Sequence, residues 1–176
     1  MTKNSDTVKK KEILIMKNSS SKNSFLPVCL AIIPVLAAIV FCLPQFSRTV
    51  FGSALNINGF QLAFGFKDVV SVPGKGYVFI AFLLPVLSAA LLCAAFFIKA
   101  VRKRLKAAYL VTAVFALTCV VLLIVALSTI KDINYYKAVL EVAKNGSFTA
   151  WFYIGIALHA LTVFGCGIGF FRTKRS

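Results

Sequence analysis

The side chains able to do chemistry in this chain are few, and several fall on one line. Gly155, His159, Thr162, Cys166 and Gly169 are spaced by 4, 3, 4 and 3 residues. At 3.6 residues per turn this places them on a single helix face. Gly165 and Gly169 form a GxxxG pair in the same stretch. Thr112 and Cys119 make a similar row with Ala116 and Ala126, and Ala81, Ser88 and Ala95 make another. His159 is the only histidine. An imidazole in an apolar segment offers proton transfer, ligand binding or metal ligation. It also serves as a packed interior group bonded to a threonine or a backbone carbonyl. Small residues let helix backbones approach closely, and Thr can hydrogen-bond across, so the same stripe reads as the inward face of a helix bundle.

Other chemistry is sparse. The acids are Asp6, Glu12, Asp68, Asp132 and Glu141, all in tails or in the gaps between apolar runs. They form no pair with ligand spacing, so neither an acid/base dyad nor an ion-coupling carboxylate is expected. The cysteines, Cys29, Cys42, Cys93, Cys119 and Cys166, are scattered and make no CxxC. That excludes the spacing of a zinc site or a thiol-redox motif and leaves cysteine as a small apolar residue. No phosphate-cradling glycine loop occurs; the nearest, "PGKG" at 73–76, is too short. No catalytic residue, metal or cofactor is expected.

The elements that carry these residues are written in the composition. The chain is 60% hydrophobic and 14% charged, against about a quarter charged in ordinary soluble domains. Four runs, 25–43, 77–98, 107–130 and 150–171, contain no Asp, Glu, Lys or Arg. Each meets the roughly 20 residues that cross a hydrocarbon core about 30 Å thick. The expected fold is an all-α membrane protein: a bundle of four transmembrane helices filling 25–171, with a basic tail at 1–24 and a basic C-terminus at 172–176. Pro34 and Pro85 lie inside the first two spans, where neighbouring helices satisfy the carbonyls that proline frees.

The net charge of +15 does not imply nucleic acid, because its placement matters more than its sum. Fourteen of the twenty basic residues fall in the N-terminal tail, at 99–106 ("KAVRKRLK") and at the C-terminus. Positive residues stay on the cytoplasmic side of a membrane. Both termini and the 99–106 loop are therefore expected in the cytoplasm, and the 44–76 and 131–149 loops outside. The location is a plasma or inner membrane. The first run is read as a retained span: it is longer than a usual signal-peptide core and no small-x-small site closes it. Residues 1–24 are Lys-, Asn- and Ser-rich and expected to be disordered, and Met16 is a second possible start.

The first outer loop carries "NINGFQLAFGF" at 56–66. With Asn58-Gly59 at the centre of a type I′ turn, Ile57 faces Phe60, Leu55 faces Leu62, Ser53 faces Phe64 and Phe51 faces Phe66. The expectation is an exported β-hairpin with Leu55, Ile57, Phe60, Leu62, Phe64 and Phe66 as its contact face. A short helix from Phe60 onward is the competing reading, weakened by Gly59 and Gly65. "VVSV" at 69–72 is a candidate third strand. In the second outer loop Ile133, Tyr136, Leu140 and Ala143 predict a short amphipathic helix between Asp132 and Asn145-Gly146. Trp151 and Tyr153 then enter the last span at interface level.

This layout resembles that of claudin-type four-span proteins: cytoplasmic ends, a strand-forming first outer loop and a shorter second one. The resemblance is topological and spans 25–171. That family's first outer loop carries a tryptophan-bearing motif and a cysteine pair, and 44–76 contains neither. It implies an outer hairpin on a four-helix bundle and nothing finer. The expected function is a non-enzymatic accessory, scaffold or interaction subunit of a membrane complex. Its partners are the lipid bilayer and either another membrane protein or further copies of itself. The alternative is a small transporter or channel component built on the kinked helices and the Thr/His/Cys stripe. A membrane enzyme would have His159 as its one proton-transfer group.

Overall fold

The computed structural model describes residues 25–50, 53–67, 71–131 and 147–173. The predicted amphipathic helix between Asp132 and Gly146, the basic tail at 1–24, Phe51 and Val69 lie outside the described residues.

The chain is mostly helical. Helix α1 spans Leu26–Phe41, α3 Gly76–Phe97, α5 Leu105–Lys131 and α6 Ala150–Arg172; two short helices, α2 (Gly59–Phe64) and α4 (Lys99–Arg102), lie between them. Three helices, α3, α5 and α6, are long and apolar enough to cross a membrane. Helix α1 is shorter, at 16 residues, a rise of about 24 Å at 1.5 Å per residue. Its start carries proline in the first turn, where the missing N–H costs nothing. Its end tightens: the Cys42 and Leu43 amides bond to the carbonyls three residues back, Ile39 and Val40, each at 3.0 Å. Pro44 then follows, and the residue before a proline is pushed out of the helical region. The apolar run to Leu43 therefore overstates the helix.

The four larger helices pack in a closed cycle, α1 on α3, α3 on α5, α5 on α6 and α6 on α1. The connections put the end of α1, the start of α3, the end of α5 and the start of α6 together. That end is covered by a small cap. Strands β1 (Pro44–Val50), β2 (Ser53–Asn58) and β5 (Ser147–Phe148) form a sheet in the order β2-β1-β5. Strands β3 (Gly65–Lys67) and β4 (Ser71–Pro73) pair beside it.

The predicted hairpin about Asn58-Gly59 is not the one formed. Segment 53–58 is a strand, but its antiparallel partner precedes it: Phe46 lies opposite Ile57, Ser47 opposite Asn56 and Arg48 opposite Leu55. Asn58 ends the strand and caps a helix. Its side chain accepts a hydrogen bond from the Gln61 amide at 2.9 Å, and the Gln61 side chain accepts one from the Asn58 amide at 2.9 Å. This reciprocal capping box satisfies two amides that a helix start leaves open. Gly59 is required for space rather than for a left-handed turn: a methyl group there would lie 2.6 Å from the Phe41 ring and carbonyl. The positive φ, 87°, belongs to Gly65, where the chain leaves α2. The short helix from Phe60, the competing reading, is the one present.

The cap holds to the helix ends through aromatic packing. Phe60 meets Phe41 and Phe82 with ring centroids 5.3 and 4.8 Å apart, and Phe148 bridges Phe46 and Phe152 at 5.4 and 4.3 Å. Ile57 and Leu62 are buried in the same cluster with Val78 and Ala126. The register shift between Pro44 and Phe46 turns Gln45 inward, as bulges re-aim a side chain. Its amide nitrogen donates to the Val40 carbonyl, which also takes the Leu43 amide, and to the Leu43 carbonyl just beyond the helix.

The capping box makes a specific expectation. A double-mutant cycle of Asn58→Ala and Gln61→Ala, read by thermal denaturation in detergent, should give a coupling of about 0.5–2 kcal/mol. The cycle of Asn56→Ala with Gln61→Ala, a pair only in the hairpin register, should give none. Coupling in the second cycle alone would restore the hairpin.

Candidate functional site: the polar seam between the helices

Helical periodicity decides which side chains meet inside the cycle. On α6 the buried residues are Phe152, Gly155, His159, Thr162, Cys166 and Gly169. This is the predicted stripe with one aromatic added at its cap end. On α5, Thr112, Ala116 and Cys119 are buried, and Tyr109, one turn before Thr112, joins them. On α3, Ala81, Ser88, Leu92 and Ala95 are buried, with Pro85 among them; on α1, Pro34 is buried. Both prolines therefore face neighbouring helices.

The two ends of the stripe have different neighbours. Gly169 faces Tyr109: a methyl group on Gly169 would lie 2.7 Å from Tyr109 Cζ. Tyr109 and Cys166 belong to one cluster with Leu30 and Ala31 of α1 and Leu92 of α3, so side chains of all four larger helices converge there. Gly165 instead meets the Leu30 side chain. The GxxxG pair thus accepts side chains from two different helices rather than bringing one backbone against another. Gly155, at the other end, is in ordinary contact with Val40 at 3.8 Å.

The polar atoms sort into satisfied and unsatisfied groups. Thr162 Oγ1 donates to the Leu158 carbonyl of its own helix at 2.9 Å, so its donor is not directed to His159. Cys119 Sγ reaches across to the Ala81 carbonyl at 3.7 Å. The hydroxyls of Ser88, Tyr109 and Thr112 are buried without a hydrogen-bond partner among the described residues. His159 is 4% exposed. Among the described residues no group of three His, Cys, Asp or Glu side chains lies close enough to hold a metal ion. A void of about 10 Å³ lies under the cap, between Phe41, Leu62, Val78 and Phe152. It is about the size of one water, and His159, Thr162 and Thr112 do not line it.

The predicted contact face of the hairpin is dispersed. Ile57 and Leu62 are buried, and Phe60 is half-buried against the helix ends. Phe64 is 67% exposed, resting on Phe79 at 5.0 Å. Leu55 pairs with Arg48 in β2, and Phe66 with Val72 in β3. Of the polar groups inside the cycle, Tyr109 was missed from the sequence, because an aromatic at the start of an apolar run reads as an interface residue. Its spacing of three from Thr112 was the available signal.

No protein-family model matches the chain, and neither a curated protein nor a solved structure is detectably similar to it.

The unpartnered hydroxyls have a measurable consequence. Removing a buried hydroxyl that makes no bond is close to neutral, whereas truncating a buried aromatic costs about 3–5 kcal/mol. Tyr109→Phe and Thr112→Val should therefore leave the unfolding temperature in detergent nearly unchanged, and Tyr109→Ala should lower it sharply. A loss of about 1–3 kcal/mol in Tyr109→Phe would mean that the hydroxyl has a partner, such as an ordered water.

Proposed function

We propose that the chain is an integral membrane protein of four spans, with both termini and the 99–106 loop in the cytoplasm. Its role is that of a non-enzymatic accessory or interaction subunit of a membrane complex. The observation that carries the membrane reading is the distribution of side chains across each helix. The outward faces present Ile32, Leu36 and Ile39 on α1, Leu83 and Leu87 on α3, Leu117 and Ile124 on α5, and Leu161, Phe164 and Ile168 on α6, all exposed. The inward faces are rich in Ala, Gly, Ser, Thr and Cys, with a few large side chains such as Leu92 and Tyr109 among them. Water would not tolerate that arrangement, since exposed apolar patches beyond a few hundred Å² are rare on monomeric soluble proteins. In lipid it is the expected one, because small residues inside are what allow helices to pack. Helix α1 spans with the help of the turn at Cys42–Leu43 and local thinning of the bilayer. The clustering of fourteen of the twenty basic residues in the two tails and the 99–106 loop supports the orientation.

The interaction role is supported by the position of all five acids outside the four apolar runs of the sequence and by Phe64, a large aromatic left exposed on the cap. A second reading, a small transporter or channel component, is favoured by the hydroxyls of Ser88, Tyr109 and Thr112, buried between the helices without a partner among the described residues.

Two measurements test the proposal. In a variant lacking the native cysteines, a membrane-impermeant thiol reagent applied to intact cells should label Ser53→Cys and leave Lys103→Cys unlabelled; the reverse pattern overturns the orientation. A photo-crosslinking amino acid at position 64 should capture a protein or a second copy in membranes, while the same probe at the packed position 60 should not. Capture of lipid alone at position 64 would count against an interaction subunit whose contact is on the cap.

A further inference from the structure

At the end of the molecule opposite the cap, the segment from α4 to the first turn of α5 carries Lys99, Arg102, Lys103, Arg104 and Lys106, and the structure divides them by role. Arg102 donates through its guanidinium to the Phe96 carbonyl and lies over the Phe96 ring, 5.8 Å from its centroid. Lys106 lies over the Phe170 ring at 5.7 Å. Both contacts are of cation–π type. The remaining cations, Lys99, Lys103 and Arg104, line a groove of about 770 Å³. Lys99 and Lys103 stand one helical turn apart, joined by the Lys103 amide bonding to the Lys99 carbonyl at 3.1 Å, so their side chains share a face. The nearest acids in the sequence, Asp68 and Asp132, stand 31 residues before Lys99 and 26 after Lys106.

The far wall of the groove is apolar: Leu91 on α3, and Ala108 and Val111 on α5. Val111 follows Arg104 by seven residues, and Leu91 precedes Lys99 by eight. At 1.5 Å per residue the apolar wall extends about 10 Å along the helices from the cations. One groove thus offers three positive charges at its mouth and hydrocarbon further in. A free phosphate has no use for the second part, and a neutral lipid none for the first.

We propose that this groove is a binding site for an anionic phospholipid, its phosphate and headgroup held by Lys99, Lys103 and Arg104 and an acyl chain laid along Leu91, Ala108 and Val111. The inference rests on the membrane reading above, and the loop's cytoplasmic placement would put it at the leaflet where anionic lipids attract basic segments.

The test is native mass spectrometry of the full chain in detergent, with phosphatidylglycerol and phosphatidylcholine of identical acyl chains added in equal amount. The wild type should retain phosphatidylglycerol over phosphatidylcholine by about tenfold or more. The triple variant Lys99→Gln, Lys103→Gln, Arg104→Gln should lose that preference. The control Arg102→Gln, Lys106→Gln, which removes two charges outside the groove, should keep it. Val111→Trp, which fills the apolar part without touching charge, should weaken phosphatidylglycerol binding. Equal retention of the two lipids by the wild type overturns the site. So does a preference that survives the triple variant, or one lost as fully in the control, or one that Val111→Trp leaves intact. Displacement of phosphatidylglycerol by inorganic phosphate at matched concentration would make it an anion site with no lipid specificity. Failure of the membrane reading is separately visible, as a chain that stays monodisperse once detergent is removed.

Discussion

Close approach of helices through small side chains is the constraint from which the rest of this structure follows. On the membrane reading proposed above, apolar helices gain little by hiding Leu from a medium as apolar as Leu itself, so contact area and shape decide whether they associate. Here many of the inward residues are small: Ala81 and Ala95 on α3, Ala116 and Ala126 on α5, Gly155 and Gly169 on α6. Two of the large side chains that enter are given room by glycine, the Tyr109 ring by Gly169 and the Leu30 side chain by Gly165. A hydroxyl inside such an interior bonds its own helix, as Thr162 does, or has no partner among the described residues, as at Ser88 and Thr112.

The cap depends on that approach. With four helix ends held together, their aromatic residues make a floor on which a short helix and narrow strands can rest. Phe41 and Phe82 are two such floor residues, 5.2 Å apart, and Phe60 sits on both. An isolated pair of strands this short would be marginal in water. The floor supplies the apolar burial that the strands lack, and Gln45 ties the first strand back to the end of α1. Thr149 does the same from the other side of the cycle, its amide donating to the Gln45 carbonyl at 3.0 Å and its hydroxyl to the Pro44 carbonyl. The cap is thereby part of the helical body and not a separate module above it.

The interior stripe was legible in the sequence because one helix face is set by 3.6-residue periodicity alone. His159, Thr162 and Cys166 needed no knowledge of neighbours to be grouped. What they face needed all of it. The convergence of Tyr109, Cys166, Leu30 and Leu92 joins residues from four separate segments, and no spacing within one segment encodes that. The basic turn shows the same limit. Its charge was visible as a marker of orientation, but the division between cations resting on Phe96 and Phe170 and those lining a groove depends on where the rings lie.

By itself the sequence determined the helical character, the position of each apolar helix to within about two residues at either end, and the inward face of α6. These are local properties, set by side-chain hydropathy and by the pitch of a helix. Tertiary structure decided the cap. The pattern at 53–66 fits a hairpin about Asn58-Gly59, with like residues opposed, and it equally fits a strand followed by a capped turn of helix. The choice fell to contacts outside the segment: β1 takes the edge of 53–58, Phe41 occupies the space beside Gly59, and Phe60 finds Phe82. A short polar-apolar alternation holds too little energy of its own to select its partner, so the surface it lands on selects for it.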